Sequence, residues 1–151
     1  MVIQDFLVRA KISGYATGGE IGERSLPDGG KEFSFELNEY RYRDTYYGFN
    51  PFSGQELVWR KDYLIWSMNY YGAVTSDKIL AQDIYSFLKK ALVKIESDRP
   101  FRGPNIFSIG EFTYQDKSFG SINAFTGKET ISLEGDIVYY LNYHGGLLKD
   151  G

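Results

Sequence analysis

The sequence ELNEYRYRDTYYGFNPFSGQELVWRKDYLIWSMNYYG occupies residues 36–72, and it returns in altered form as SIGEFTYQDKSFGSINAFTGKETISLEGDIVYYLNYHG at residues 108–145. With one extra residue in the second copy, ten of the 37 aligned positions are identical. The identical pairs are Glu39/Glu111, Tyr42/Tyr114, Asp44/Asp116, Gly48/Gly120, Phe52/Phe125, Gly54/Gly127, Glu56/Glu129, Asn69/Asn142, Tyr70/Tyr143 and Gly72/Gly145. An aromatic-rich composition does not easily match glycines and acids in register, so the pattern predicts an internal duplication.

Each copy is predicted to form antiparallel strands. Phe33, Phe35 and Leu37 alternate with polar residues, which is the period of a half-buried strand. Tight turns are predicted at residues 38–39, 61–62, 110–111 and 134–136, where residues that favour turns interrupt the alternation. Both sides of the strand at residues 63–71 carry large side chains, so we expect that strand to be central and covered on both faces.

A helix is predicted before each copy. In the first, Ile3, Phe6, Leu7 and Ala10 form an apolar stripe that Ser13-Gly14 ends, and Gln4, Asp5, Arg9 and Lys11 form the opposite, polar side. A second stripe runs from Leu80 to Ile95 behind a cap at Ser76 or Asp77. The predicted fold class is α+β: two helices pack on one antiparallel sheet with pseudo-twofold symmetry. Residues 1–151 form a single domain with halves at about 1–75 and 76–151.

The composition excludes several classes of function. The chain has no cysteine, which excludes disulfides, thiol catalysis and cysteine-ligated metals. Its single histidine, His144, leaves any metal site to carboxylates almost alone, so no metal and no other cofactor is predicted. The formal net charge of −3 argues against direct contact with nucleic acid. No apolar run is long enough to span a membrane and no signal-peptide core is present, so a cytoplasmic location is expected.

The repeated residues allow a structural and a functional interpretation. The glycine pairs, at positions 48 and 120 and at positions 54 and 127, are predicted to supply positive φ at the two ends of one loop. Glu56 and Glu129 either accept hydrogen bonds from loop amides or face each other across the dyad as an acidic pair. Asp44 and Asp116 invite the same two interpretations.

Three further features are singled out. His144 stands where the first copy has Tyr71, and with Glu129 it would form an acid–base pair. Arg99 and Arg102 lie in a proline-stiffened turn, from which they either bind an external anion or clamp Asp116 or Glu111 internally. The segment at residues 14–30 holds six glycines and is predicted to be a mobile loop, interpreted as a lid.

The chain resembles a microbial domain family of unknown function. The motifs are FLVRAK at residues 6–11, YRD at 42–44, YG at 47–48, FSGQE at 52–56, WSMNYYG at 66–72, FRGP at 101–104 and HGG at 144–146. That family looks like a module often attached behind a helix-turn-helix DNA-binding domain in transcriptional regulators. The resemblance therefore implies a sensing or interaction role, and it supplies no catalytic residues.

The leading hypothesis is a non-enzymatic module that binds an unidentified small molecule in an aromatic cleft between the two halves. Its predicted lining is Trp66, Tyr70, Tyr143, Glu56, Glu129, Arg102 and His144. One alternative is an enzyme with Glu129 and His144 as acid–base groups. Another is a protein-interaction or homodimerisation module that uses exposed aromatic side chains.

Overall fold

The computed structural model describes residues 1–16 and 22–150, and these form two helices and nine strands. In chain order the elements are α1 (Ile3–Ala16), β1 (Glu23–Ser25), β2 (Lys31–Leu37), β3 (Tyr40–Gly48), β4 (Phe52–Arg60), β5 (Tyr63–Val74), α2 (Ala81–Leu92), β6 (Ile106–Ile109), β7 (Phe112–Ser121), β8 (Ala124–Leu133) and β9 (Asp136–Leu147). The predicted α+β class is confirmed.

All nine strands belong to one antiparallel sheet with the order β1-β2-β3-β4-β5-β9-β8-β7-β6. The four predicted turns are confirmed, because each joins two consecutive strands and contains a residue with positive φ: Asn38 at 56°, Lys61 at 48°, Gly110 at 59° and Glu134 at 50°. The centre of the sheet is the pairing of β5 with β9, in which Tyr70 lies opposite Tyr143. Hairpins therefore extend outward from this pair on both sides.

Both helices pack against the same, buried face of the sheet. Phe6 of α1 contacts the rings of Phe35 and Tyr40, with centroids 5.9 and 5.0 Å away. Phe87 of α2 lies 5.1 Å from Phe112 of β7, in the other half of the sheet. The two helices also contact each other, so together they cover the middle of that face.

The opposite face of the sheet is open. Tyr63 is 72% exposed and Tyr71 is 48% exposed, although both belong to the central strand β5. The prediction that this strand is covered on both faces is therefore wrong. Both helices lie on the buried face, where α1 and α2 contact each other, and neither covers this open face.

The helix predictions need three corrections. The first helix continues past Ser13-Gly14 to Ala16, because one glycine costs only about 1 kcal/mol in a helix. The second is shorter than the stripe that predicts it, and its N-cap is Leu80 rather than Ser76 or Asp77. Lys11, which the pattern assigns to the polar side of α1, is only 1% exposed.

The glycine-rich segment is only partly described. Residues 17–21, with Gly18 and Gly19, lie outside the described residues, so the predicted lid cannot be placed. Residues 14–16 belong to α1, and the part after residue 21 forms the edge strand β1 and a turn in which the Asp28 carboxylate accepts the Gly30 N–H. Within the described residues, neither helix has the length and apolar character that a membrane span requires.

Candidate functional site

The buried face of the sheet carries carboxylates that are held by tyrosine hydroxyls. In the first half, the Tyr42 hydroxyl donates to Glu56 Oε1 at 2.7 Å, and the Lys11 ammonium lies 3.0 Å from the same oxygen. Lys11 also donates to the Phe101 carbonyl, which joins α1 to the loop after α2. Glu56 is fully buried, and its second oxygen, Oε2, has no hydrogen-bond partner among the described residues. Glu56 is therefore held by side chains rather than by loop amides.

Glu129, the equivalent carboxylate of the second half, has a complete set of donors. Tyr114 and Tyr139 donate to its two oxygens at 2.6 and 2.7 Å. Arg102 donates from Nε at 3.1 Å and from a terminal nitrogen at 2.7 Å, a bidentate pair that is buried on both sides. Glu56 and Glu129 thus do not form an acidic pair, because each has its own cation.

The two repeated aspartates also lie on the buried face, one strand further out. Tyr70 donates to Asp44 Oδ1 at 2.7 Å, and Tyr143 donates to Asp116 Oδ1 at 2.8 Å. Arg99 lies 3.3 Å from Asp116 Oδ2 and also donates to the Asp116 carbonyl at 3.1 Å. The internal clamp on Asp116 is therefore confirmed for Arg99, whereas Arg102 pairs with Glu129 instead.

Burial perturbs the ionisation of this network. Desolvation raises the pKa of the Asp44 carboxyl to about 7, and the nearby charge of Glu56 adds to the effect. Desolvation, assisted by Glu129, likewise raises the pKa of Asp116 to about 7. The pKa of Lys11 is lowered by its burial, against the opposing attraction of Glu56. Burial therefore opposes ionisation of both aspartates, even though Arg99 lies beside Asp116.

The repeated glycines serve two different purposes. Gly48 and Gly120 have the predicted positive φ, at 80° and 92°. Gly48 is the last residue of β3, and Gly120 is the last but one of β7. Gly54 and Gly127 instead lie inside β4 and β8 without positive φ, so that part of the prediction is wrong. A Cβ at Gly54 would lie 2.3 Å from the Tyr70 hydroxyl oxygen, so this glycine leaves room for the tyrosine that holds Asp44.

A cavity of about 390 Å³ opens between the helices and the first half of the sheet. Its aromatic lining is Tyr15, Tyr46, Phe49, Phe52, Tyr70 and Tyr85, and its polar lining includes Asp44, Gln82, Ser86, Lys89 and Arg102. Residues of α1, β3, β4, β5, α2 and the loop after α2 all contribute, so both halves of the chain form its wall.

The walls of this cavity are held in place by their own contacts. The Tyr85 hydroxyl donates to the Phe49 carbonyl at 2.6 Å, and the two rings meet edge to face at 5.1 Å. Phe52 packs edge to face against Tyr85 at 5.7 Å and against Tyr70 at 6.1 Å. The Arg102 guanidinium, fixed by Glu129, lies 5.6 Å from the centre of the Tyr70 ring.

The predicted site residues are distributed over three environments. Tyr70 and Arg102 line the cavity. Glu56 and Glu129 are fully buried, with no surface in it. Trp66 is also fully buried, where its ring stacks on Phe125 and its indole N–H donates to the Ile122 carbonyl.

His144 and Tyr143 line a different groove, of about 730 Å³, which also includes Tyr71 and Phe119. His144 is exposed, whereas its neighbour Tyr143 is buried, so the His144 side chain lies on the open face. Glu129 pairs with Leu141 of β9, and both are buried on the face that carries the helices. Leu141 lies three residues before His144, so the side chains of Leu141 and His144 point to opposite faces. The sheet thus separates Glu129 from His144, and the two do not meet as an acid–base pair.

Sequence reasoning did not assign Asp44, Phe49, Phe52 or Tyr85 to the site. Asp44 and Phe52 were visible as repeated residues, and their position on a shared face was the available signal. Tyr85 follows the buried Ile84 of α2 and lies beside the apolar stripe, so no local pattern marked it.

One comparison with known proteins gives a match. A family model described as a domain of unknown function (DUF5680) matches residues 44–148, which is well over half of the chain and includes most of the cavity lining. No curated protein and no solved structure matches.

Proposed function

The chain belongs to the DUF5680 family, whose function is unknown, and we propose that it binds a small organic molecule in the cavity between its helices and its sheet. The observation that carries this proposal is the cavity itself: six aromatic residues line it, and a few polar groups are fixed at defined positions. This combination is typical of small-molecule sites. The sensing role that the family resemblance implies is part of the same proposal.

The polar groups in the cavity wall are preorganised, which supports a binding role rather than a void left by incomplete packing. The Tyr70 hydroxyl is held by Asp44, and the Arg102 guanidinium is held by Glu129 through two hydrogen bonds. A ligand therefore meets polar groups whose positions are already fixed, which lowers the entropy cost of binding.

We also propose that the two halves descend from one duplicated unit. The strand order reads the same from either edge of the sheet, apart from the extra strand β1, and Tyr70 pairs with its sequence equivalent, Tyr143. The helices repeat a buried Phe-Leu-x-x-Ala pattern, at residues 6–10 and 87–91. In this proposal the cavity lies in the first half and is closed by α2 and Arg102 of the second.

The proposal is tested by a thermal-shift screen of a broad metabolite library against the wild type and Ser86→Trp. Ser86 is an exposed residue of α2 that lines the cavity, so an indole at this position would fill it without disturbing the core. Lys90→Trp is the matched control, because Lys90 is exposed on the same helix and lines none of the described cavities.

The expected result is a compound that stabilises the wild type and Lys90→Trp but not Ser86→Trp. Stabilisation by a bound ligand grows with its concentration relative to Kd, so a dose series distinguishes binding from a solvent effect. A library without any stabilising compound, or a hit that Ser86→Trp binds equally well, would contradict the proposal.

A further inference from the structure

Four carboxylates on the buried face can be compared by their cation partners. Lys11 lies 3.0 Å from Glu56, Arg102 lies 2.7 Å from Glu129, and Arg99 lies 3.3 Å from Asp116. Asp44 differs from these three, because no described Lys, Arg or His comes within 4.0 Å of its carboxylate. Residues 17–21 contain no Lys, Arg or His either.

The comparison with Asp116 is the most informative one, because the two aspartates occupy aligned positions. Each accepts a hydrogen bond on Oδ1 from the equivalent tyrosine, Tyr70 or Tyr143. They differ in their cations: the Arg99 guanidinium lies 3.3 Å from Asp116 Oδ2 without a hydrogen bond to it, whereas Asp44, which lines the cavity, forms no ion pair with a described residue. Asp44 is half-buried, so its carboxylate has lost part of its contact with water without a cation beside it, and an incoming cation would offset that cost.

We propose that the cavity takes a ligand with a protonated amine, and that this ammonium group binds the Asp44 carboxylate while an apolar or aromatic body lies against Phe49, Phe52 and Tyr85. This inference rests on the proposed function of the cavity. Aromatic faces also attract organic cations, which adds to the attraction of the carboxylate. Arg102 forms no ion pair with Asp44 within 4.0 Å, and its Nε and one terminal nitrogen are bound to Glu129.

The lining favours an organic cation over a metal ion. Asp44 is the single carboxylate among the described lining residues of this cavity. Divalent cations such as Ca²⁺ take six or more oxygen ligands, and one carboxylate with tyrosine hydroxyls is a poor match for them. An ammonium group needs only one carboxylate and a few acceptors, which the cavity offers.

The test is isothermal titration calorimetry at neutral pH with three probes of similar shape: 2-phenylethylamine, the neutral 2-phenylethanol and the anionic 3-phenylpropanoate. The proteins are the wild type, Asp44→Asn and Asp116→Asn. Asp116→Asn is the matched control, because it makes the same change at the aligned aspartate that already has a cation. We expect the wild type to bind the amine at least about tenfold more tightly than the alcohol, as a charge-assisted hydrogen bond implies.

The same preference for the amine should persist in Asp116→Asn and disappear in Asp44→Asn. Equal affinity of the wild type for amine and alcohol would overturn the inference, and this comparison does not depend on the folding of any variant. Retention of the preference in Asp44→Asn would also overturn it. A library hit that Ser86→Trp blocks, without any preference for amines, would refute the inference and leave the proposed function standing, whereas no binding of any compound would refute both.

Discussion

Removal of the Arg102 guanidinium should be among the most damaging changes in this protein. Arg102 is 5% exposed, and its partner Glu129 is fully buried. In Arg102→Met the two hydrogen bonds to Glu129, at 3.1 and 2.7 Å, are lost, while Tyr114 and Tyr139 still donate to the carboxylate. The variant therefore keeps a negative charge in the core with only neutral donors around it.

The expected cost is about 3–5 kcal/mol in the free energy of unfolding, the range found when one member of a buried ion pair is removed. A domain of this size loses about 2–4 °C in Tm per kcal/mol, so Tm should fall by roughly 6–20 °C. Methionine conserves the length and much of the volume of the side chain, so loss of packing contributes little. Most of the effect should come from the charge that is left without its partner.

Urea unfolding followed by tryptophan fluorescence measures this cost, because Trp66 is fully buried in the same core. The companion variants are Glu129→Gln and the double variant, which give a coupling free energy of about 1–3 kcal/mol if the two side chains act as a pair. Arg60→Met is the matched control, because the Arg60 pair with Glu39 is exposed and should leave Tm almost unchanged. An Arg102→Met protein as stable as Arg60→Met, or an absence of coupling to Glu129, would refute the role assigned to this ion pair.

Three further outcomes are expected. Gly127→Ala should destabilise the chain by about 1–3 kcal/mol in chemical denaturation, because its Cβ would lie 2.0 Å from the Tyr143 ring, and the cost should shrink in a Tyr143→Ala background. Asp116 faces Glu129, Tyr143, Arg99 and Arg102, and burial raises the pKa of its carboxyl from 3.8 to about 7. Because folding favours the protonated carboxyl, the contribution of Asp116 to stability is full at acid pH and is lost as the pH rises through about 7. Unfolding curves across this range should show Asp116→Asn gaining stability relative to the wild type as the pH rises, and a constant difference would contradict that assignment. Tyr63→Ser, on the open face, should change the free energy of unfolding by no more than about 0.5 kcal/mol in the same assay.

The strands and turns could be predicted from the sequence because their signals are local. The alternation of Phe33, Phe35 and Leu37 marks β2, and each tight turn needs a residue that tolerates positive φ at a defined place. The aligned repeat also predicted equivalent hairpins in the two halves. The open face could not be predicted. Tyr63 and Tyr71 are large aromatic residues of the kind found at buried positions, and only the placement of the two helices determines which face of the sheet is covered.

The Lys11–Glu56 and Arg102–Glu129 ion pairs escaped prediction because their members are far apart in the sequence. Lys11 reads as a solvent-facing residue of an amphipathic helix, yet it is buried against Glu56, which lies 45 residues away. The repeat identified Glu56 and Glu129 as important but contained no information about their cations, since Lys11 and Arg102 both lie outside the aligned segments. His144 was singled out because it is unique, and uniqueness does not determine the face on which a strand residue lies.

Three differences between the two halves lie at the cavity. The helix position that supplies Lys11 to Glu56 in the first half is Leu92 in the second, and Leu92 lines the cavity as an apolar residue. Glu129 takes its cation from Arg102 instead, and Arg102 lines the same cavity. Asp44 lacks the cation that Arg99 gives to Asp116, and it too lines that cavity. Asp44, Gly48, Phe52 and Tyr70 also line the cavity, and these four residues are shared with the second half. The cavity is thus built on the framework that the two halves have in common, and Leu92 and Arg102 complete it with residues that only one half supplies.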